Sequence, residues 1–489
     1  MAARAVFSRL YRALPAVPCL LAVGHCSLAC HVSAEGGTED SSTSWKDTVT
    51  GGYENRLRRH AAPEKLFEYF SSVHDGETGD SFMTPDDLLR ALSPYNPALP
   101  SAAQQLGTNN PMLDGKALAK GASAADLAEY TGLLRKVLEG GADAKAAATA
   151  ALALRTDGRV SPSDHVTTLS REGLSAAEVQ AAGAKVLPGV NWVSGKQAPA
   201  PGSAAATFAA LVDEDGDGLI SFGQYMLFIT VLSLPRSHLD LAFRLFDSDD
   251  SGTLDQAEYT SMMGVVQGRT PAGQQVRDKD LLGRNLGRLS SVGLPPQASG
   301  AGTLSDPKQL SLGQFREFVQ GVHQALHKVE FERYGGMDGG LTPRDFALLV
   351  IGNAPPALQR TLRDRLAAAS ASLSQDETIS FAELERYYML LDELPALQVA
   401  MSLSGPLAAA RASTKEGLAA SPGTAGDRGL TRDQFRLVTG VVLSEESAER
   451  EGRVPAPGSA AQHALGKGAT EVLYALFDAD GDGLLSIAE

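Results

Sequence analysis

Twelve residues, Asp247 to Glu258, constrain this chain more than any other stretch. Side-chain oxygens stand at positions 1, 3, 5, 9 and 12 as Asp247, Asp249, Ser251, Asp255 and Glu258, with Gly252 at position 6 and Thr253 at position 7. Alternate side chains at this spacing converge on one point, the position 7 carbonyl adds an oxygen, and the last carboxylate can add two. That donor set suits a hard dication. Glycine at position 6 allows a sharp turn whose φ disfavours a Cβ. Leu239, Ala242, Phe243 and Phe246 lie at i, i+3, i+4 and i+7 just upstream, so a helix is expected to enter the loop. The pattern is that of an EF-hand, and the ion it implies is Ca2+.

Two more stretches share the spacing. Asp213, Asp215 and Asp217 precede Gly218, Leu219 offers the carbonyl, and Ser221 stands at position 9. Position 12 is Gln224, a neutral amide with one oxygen, so weaker binding is expected there. This loop starts 34 residues before the Asp247 loop. Ile220 and Leu254 occupy position 8 of their loops, where paired EF-hands form a short antiparallel bridge, so these two loops are expected to pair. The third stretch carries Asp478, Asp480, Asp482, Gly483, Leu484 (by its carbonyl), Ser486 and Glu489. Glu489 is the last residue, so the exiting helix is lacking and the C-terminal lobe is expected to be truncated. A polar Asp-Gly turn would explain one such loop. It does not explain several with helical stripes beside them.

A shorter pattern recurs along the chain: an apolar residue, then Ser, Thr or Asp, then, after three more residues, an apolar or aromatic one. It occurs as MTPDDL (83–88), ISFGQY (220–225), LDQAEY (254–259), LSLGQF (310–315), LTPRDF (341–346), ISFAEL (379–384), LTRDQF (430–435) and finally LSIAE (485–489). Each reads as the second half of an EF-hand loop running into its exiting helix, with the hydroxyl or carboxylate able to cap that helix. Most have lost their ligands. Asp338 alone stands before Leu341, Asp376 and Glu377 before Ile379, and Asp427 before Leu430. The expected fold is all-α: a two-lobed EF-hand protein with paired functional and degenerate EF-hands.

Other parts of the chain bound its class. A length of 489 residues with 43% apolar composition supports two or three cored domains, and a net charge of −15 argues against nucleic acid as a partner. Cys19, Cys26 and Cys30 are the only cysteines, so no disulfide framework is possible beyond them. Residues 1–34 lack Asp and Glu. Arg4, Arg9 and Arg12 project to one side of a helix, with Val6, Phe7, Leu10, Tyr11 and Leu14 on the other. This is the signature of a mitochondrial presequence, and a secretory signal peptide is the competing reading. Residues 35–52 read as a disordered linker, and order is expected to begin near Tyr53. Residues 53–264 read as an N-terminal lobe and 306–489 as a C-terminal lobe, joined by a Gly/Gln/Pro-rich linker at 265–305. Within the first lobe, 97–205 is Ala/Gly-rich and weakly periodic. It is expected to be mostly an expanded insertion with short helices near 124–139 and 144–154. The sequence contains no phosphate-binding loop, HExxH, nucleophile elbow or dinucleotide fingerprint, so an enzyme is not expected.

YENRLRRHAAPEKLFEYF followed by FMTPDDLLRALSP closely resembles the start of the mitochondrial calcium uptake (MICU) family. LISFGQYMLFITVLSLP, LAFRLFDSDDSGTLDQAEY and ALFDADGDGLLSIAE extend the resemblance. It implies calcium ligands at Asp247, Asp249, Ser251, Asp255 and Glu258 and at Asp478, Asp480, Asp482, Ser486 and Glu489. It also implies a sensor in the intermembrane space that controls the uniporter of the inner membrane, touches that membrane peripherally, and pairs with itself or a family partner. The Asp213 loop departs from animal members, where it is usually degenerate. The family's basic stretch upstream of YENR is absent, which leaves Arg56, Arg58 and Arg59 as the local positive cluster, with Lys65 at a basic position of the channel-facing surface. The alternative is a mitochondrial EF-hand calcium buffer without a channel partner.

Overall fold

The computed structural model describes residues 45–96, 122–199, 202–213, 216–233, 239–247, 249, 251–255, 257–259, 261–262, 309–335, 340–369, 373, 377–402, 429–450 and 460–486. The presequence, residues 35–44, the 265–305 linker, and Asp338, Asp376 and Asp427 lie outside them. Packing divides the chain into two compact units, Met1–Val329 and Glu330–Glu489. No helix among the described residues is long and apolar enough to cross a membrane.

The first unit opens with helix α1 (Trp45–His60), eight residues before the expected start of order. Its later turns are held from the side. Asn55 Nδ2 donates to the Tyr95 carbonyl at 2.8 Å, and the Tyr95 amide returns a bond to Asn55 Oδ1 at 2.8 Å. Helix α2 (Pro63–Phe70) starts on Pro63, whose missing N–H costs nothing in a first turn, and buries Leu66, Phe67 and Phe70. A hairpin of β1 (Val73–His74) and β2 (Ser81–Phe82) then leads into α3 (Pro85–Leu92). Three helices thus open the first unit, with a hairpin between the last two.

Arg58 is not part of an open positive cluster. Its Nε donates to the Ala91 carbonyl at 3.1 Å and its Nη2 to the Arg90 carbonyl at 2.7 Å, where α3 ends and its carbonyls lack helical partners. It also pairs with Glu54 at 3.2 Å. Of the three arginines only Arg56 is exposed, the other two being half-buried.

Helices α8 (Ala204–Val212), α9 (Phe222–Ser233) and α10 (Leu239–Phe246) flank the first two acidic loops. The loops do not pair with each other. Ile220 exchanges both backbone hydrogen bonds with Met83, at 2.7 and 3.0 Å. This occupies the peptide groups that Leu254 would need. Leu254 instead pairs with Leu310, as β5 (Thr253–Asp255) lies against β6 (Gln309–Ser311). The remaining half-motifs bridge in the same way, Leu341 with Ile379 and Leu430 with Leu485. Each thus takes its neighbour in the series of eight. The bridging residues Met83, Ile220, Leu254 and Leu310 enter one buried cluster with Phe67, Tyr225, Phe243 and Phe315. Because β6 runs directly into α11 (Leu312–Arg333), the β5–β6 ladder draws residues 309–329 into the first unit. The compact division consequently falls after Val329.

Residues 122–199 fold within the expected insertion. The two anticipated helices are present as α4 (Ala124–Glu139) and α5 (Ala144–Thr156). They are joined by α6 (Pro162–Glu172), α7 (Ala176–Val186) and a hairpin of β3 (Val190–Asn191) and β4 (Lys196–Gln197). Tyr130, Leu134, Val137, Leu169, Val179 and Trp192 form its core with Ala147, Ala148 and Ala151. Alanine gives a weak hydropathy period, yet it lets helix backbones approach closely without side-chain entropy to lose.

In the second unit α12 (Pro343–Asn353) and α13 (Pro356–Ala369) pack on α17 (Lys467–Phe477), while α14 (Phe381–Asp392) contacts α15 (Arg432–Arg450) and α15 holds α16 (Ala460–His463). Arg365 Nη1 donates to the Leu476 carbonyl at 2.7 Å, capping α17 just before the last acidic loop.

Candidate metal centres

The Asp247 loop is wound by hydrogen bonds onto its first carboxylate. Asp247 Oδ1 accepts from the Ser251 amide at 2.9 Å and Oδ2 from the Gly252 amide at 2.8 Å. The turn passes through Gly252 at φ +76°, a left-handed conformation that a side chain would strain. Carboxylate oxygens of Asp247, Asp249 and Glu258 converge within 4.8 Å of one another. Bonds from the Ser251 hydroxyl and amide hold the Asp249 carboxyl below its ordinary range, so it is ionised at neutral pH. Ser251 and Thr253 lie beside this group. Asp255 accepts at Oδ1 from the Glu258 amide at 2.8 Å, and Glu258 Oε2 accepts from the Asp255 amide at 3.2 Å.

The last acidic loop repeats the winding. Asp478 accepts from the Gly481 and Gly483 amides at 2.7 and 3.1 Å, and Asp482 accepts from the Leu484 amide at 2.7 Å. Asp478, Asp480 and Asp482 bring oxygens within 4.8 Å of one another. Ser486 follows the Leu485 bridge. Glu489 lies outside the described residues. Arg432 is close by, its guanidinium 4.8 Å from the centre of the Tyr474 ring. Burial raises the Tyr474 phenol to about 12.

In the Asp213 loop, Asp213 accepts from the Asp217 and Gly218 amides at 3.0 and 2.8 Å, and Asp217 from the Leu219 amide at 2.7 Å. Asp215 lies outside the described residues. Gln224 Oε1 accepts from the Ser221 amide and hydroxyl at 2.8 and 2.9 Å.

Positions 9 and 12 therefore bond each other in both the Asp213 and the Asp247 loop, and loops without ion ligands do the same. Thr84 with Asp87, Ser311 with Gln314 and Ser380 with Glu383 make the same reciprocal cap. So does a copy that the search for the short pattern passes over, Ser161 with Asp164, because buried His165 stands where an apolar residue is sought. Asp157-Gly-Arg-Val-Ser161 matches Asp217-Gly-Leu-Ile-Ser221, and that match was the available signal. Also unforeseen are Asn191 and Val193, which touch the Asp213 loop from the inserted unit. The donors of the three loops are all hard oxygens, without histidine or cysteine. Such a set fits Ca2+ and suits soft transition metals poorly.

No family model matches the chain. It is 22% identical over 454 residues to calcium uptake protein 1, mitochondrial, of Homo sapiens, covering 91% of this chain and 69% of that protein. It is 25% identical over 356 residues to calcium uptake protein, mitochondrial, of Arabidopsis thaliana, covering 72% and 54%. Among solved structures it is similar to EFHA2 in its calcium-binding state, at 15% identity and a TM-score of 0.43 over 88% of this chain and 95% of that one. The apo structure of the mitochondrial calcium uniporter protein MICU2 gives 15% and 0.41 over 86% and 84%. The chain is thus similar over most of its length to mitochondrial calcium uptake proteins.

Proposed function

We propose that the protein is a calcium-sensing, non-enzymatic regulator of mitochondrial calcium import, acting on the uniporter from the intermembrane space. The observation that carries this reading is the convergence of Asp247, Asp249 and Glu258 oxygens around a loop turned by Gly252. Ca2+ would be held by Asp247, Asp249, Ser251, Asp255, Glu258 and the Thr253 carbonyl. A second ion would take Asp478, Asp480, Asp482, Ser486, Glu489 and the Leu484 carbonyl. A third, weaker site would use Asp213, Asp215, Asp217, Ser221, Gln224 and the Leu219 carbonyl. Sensor loops of this type bind at about 10⁻⁷–10⁻⁵ M, a range suited to cytosolic signals.

The chain's own residues supply the switch. Glu258 Oε2 accepts from the Asp255 amide, and the same carboxylate would close the ion site. Any ligand that prefers one arrangement of that side chain shifts the balance between two conformations. The relatives' printed names support a role in mitochondrial calcium uptake. The partners in this reading are the uniporter complex and a second copy or related chain, with peripheral contact to the inner membrane. No nucleic-acid role is expected.

The test is calcium flux through uniporter reconstituted in vesicles. The protein is expected to reduce flux at submicromolar calcium and to restore it at higher calcium, while Glu258→Lys keeps flux low throughout. Flux indifferent to the protein at every calcium concentration would contradict the regulator and leave a calcium buffer.

A further inference from the structure

The three acidic loops differ in what lies against them. A Cβ placed on Gly252 would meet nothing within 4 Å, and one on Gly483 only Arg432 Nη1 at 3.9 Å. On Gly218 it would lie 3.2 Å from Val193 Cγ2 and 3.5 Å from Asn191 Nδ2. The position 7 side chains follow suit. Thr253 and Leu484 are half-buried, whereas Leu219 is buried in a cluster with Val73, Val166 and Val193. Two of those three partners belong to the inserted unit 122–199.

That unit also grips the hairpin leading to Met83, the bridge partner of Ile220. The His74 amide donates to Ser163 Oγ at 3.0 Å, the Gly76 amide to Thr167 Oγ1 at 2.8 Å, and Ser170 Oγ to Asp75 at 2.6 Å. Arg171 pairs with Glu77 at 2.7 Å. The contacting tip is itself fixed from behind. Buried Arg155 donates to the carbonyls of Val193 and Ser161, and the Trp192 amide donates to Gln180 Oε1 at 2.8 Å.

We propose that the inserted helical unit is a built-in clamp on the Asp213–Gln224 loop, with Asn191 and Val193 as positioning residues that set its cation affinity. This rests on the reading of that loop as a calcium site. Position 12 there offers one amide oxygen in place of a carboxylate, so affinity must come from elsewhere. A loop already held in shape loses less freedom on binding. Coupling is reciprocal: if the clamp strengthens binding, occupancy strengthens the clamp. Ca2+ at this loop should then be felt at Trp192, next to Val193 and buried in the unit's core.

The sequence has two tryptophans, so Trp45→Phe leaves Trp192 as the sole reporter. Full-length protein carrying Trp45→Phe, Asp247→Ala and Asp478→Ala is titrated with Ca2+, following heat and Trp192 emission together. Both signals should share one midpoint and vanish with Asp213→Ala. Val193→Ala and Asn191→Ala should each weaken binding roughly tenfold, within the range usual for coupled sites. Neither should alter affinity at the Asp247 loop in a chain where only that loop is intact, which also checks that the variants remain folded. Binding heat with unchanged Trp192 emission and unchanged affinity in both variants would overturn the clamp. No heat from the Asp213 loop, with the Asp247 loop still binding, would overturn it too while sparing the sensor. No heat from any loop would remove the sensor reading itself.

Discussion

At the scale of single residues, the side chains that look alike in sequence divide by their surroundings. Arg56 and Arg58 are near neighbours of equal charge, yet Arg58 spans Glu54 and the last carbonyls of α3. The Arg58 and Glu54 side chains are only 10% and 6% exposed, so the pair is shielded from water. Glu54 also pairs with Arg90 at 2.5 Å, so removing Arg58 strands chiefly the Ala91 and Arg90 carbonyls and costs about 2 kcal/mol. Arg58→Ala is therefore expected to lower the stability measured by urea unfolding by about that amount, with Arg58→Lys recovering only part because a compact ammonium cannot reproduce the planar spread of guanidinium donors over these acceptors. Arg56→Ala should change it by less than about 0.5 kcal/mol. A positive cluster was legible in the residues; which arginine was committed was not, since its acceptors lie more than 30 residues away.

At the scale of elements, the half-loop pattern was legible because its cap is local. Positions 9 and 12 bond each other, so the signal survives loss of the ion ligands, as at Ser380 and Glu383. Bridge pairing was less legible, because every half-motif offers the same edge and only the order of pairing along the chain distinguishes Met83 from Leu254 as the partner of Ile220. The inserted unit was hidden by its alanines and by His165. That histidine is buried against Tyr130, with Tyr130 Oη and His165 Nδ1 2.7 Å apart. Burial, aided by nearby Arg155, drives its pKa well below 6.5. A base whose pKa is depressed on folding binds its proton more readily when unfolded, so stability falls with pH below 6.5 until the folded-state pKa is reached. Chemical unfolding followed at Trp192 should show this slope, and His165→Gln should flatten it.

At the scale of the whole molecule, eight copies of one motif form four bridged pairs, two in each compact unit. Within this frame, ligands are retained at the Asp213, Asp247 and Asp478 loops, one to a pair. Three of the pairs thus combine an acidic loop with a degenerate one, and the Leu341–Ile379 pair carries no full set. The degenerate member keeps its cap and its bridge, so it supports its partner loop without binding an ion. A chain built this way has separable tasks: the bridges and caps hold the fold, and the acidic loops are left as the proposed cation sites.

The most direct test of this division is equilibrium calcium binding to the full chain by titration calorimetry, with a dye reporting exposed apolar surface. The account predicts micromolar binding at the Asp247 loop, loss of one bound ion with Asp247→Ala, and a dye signal that rises with calcium. Unchanged stoichiometry in Asp247→Ala, or no binding below about millimolar calcium, where sensor loops are already filled, would contradict it.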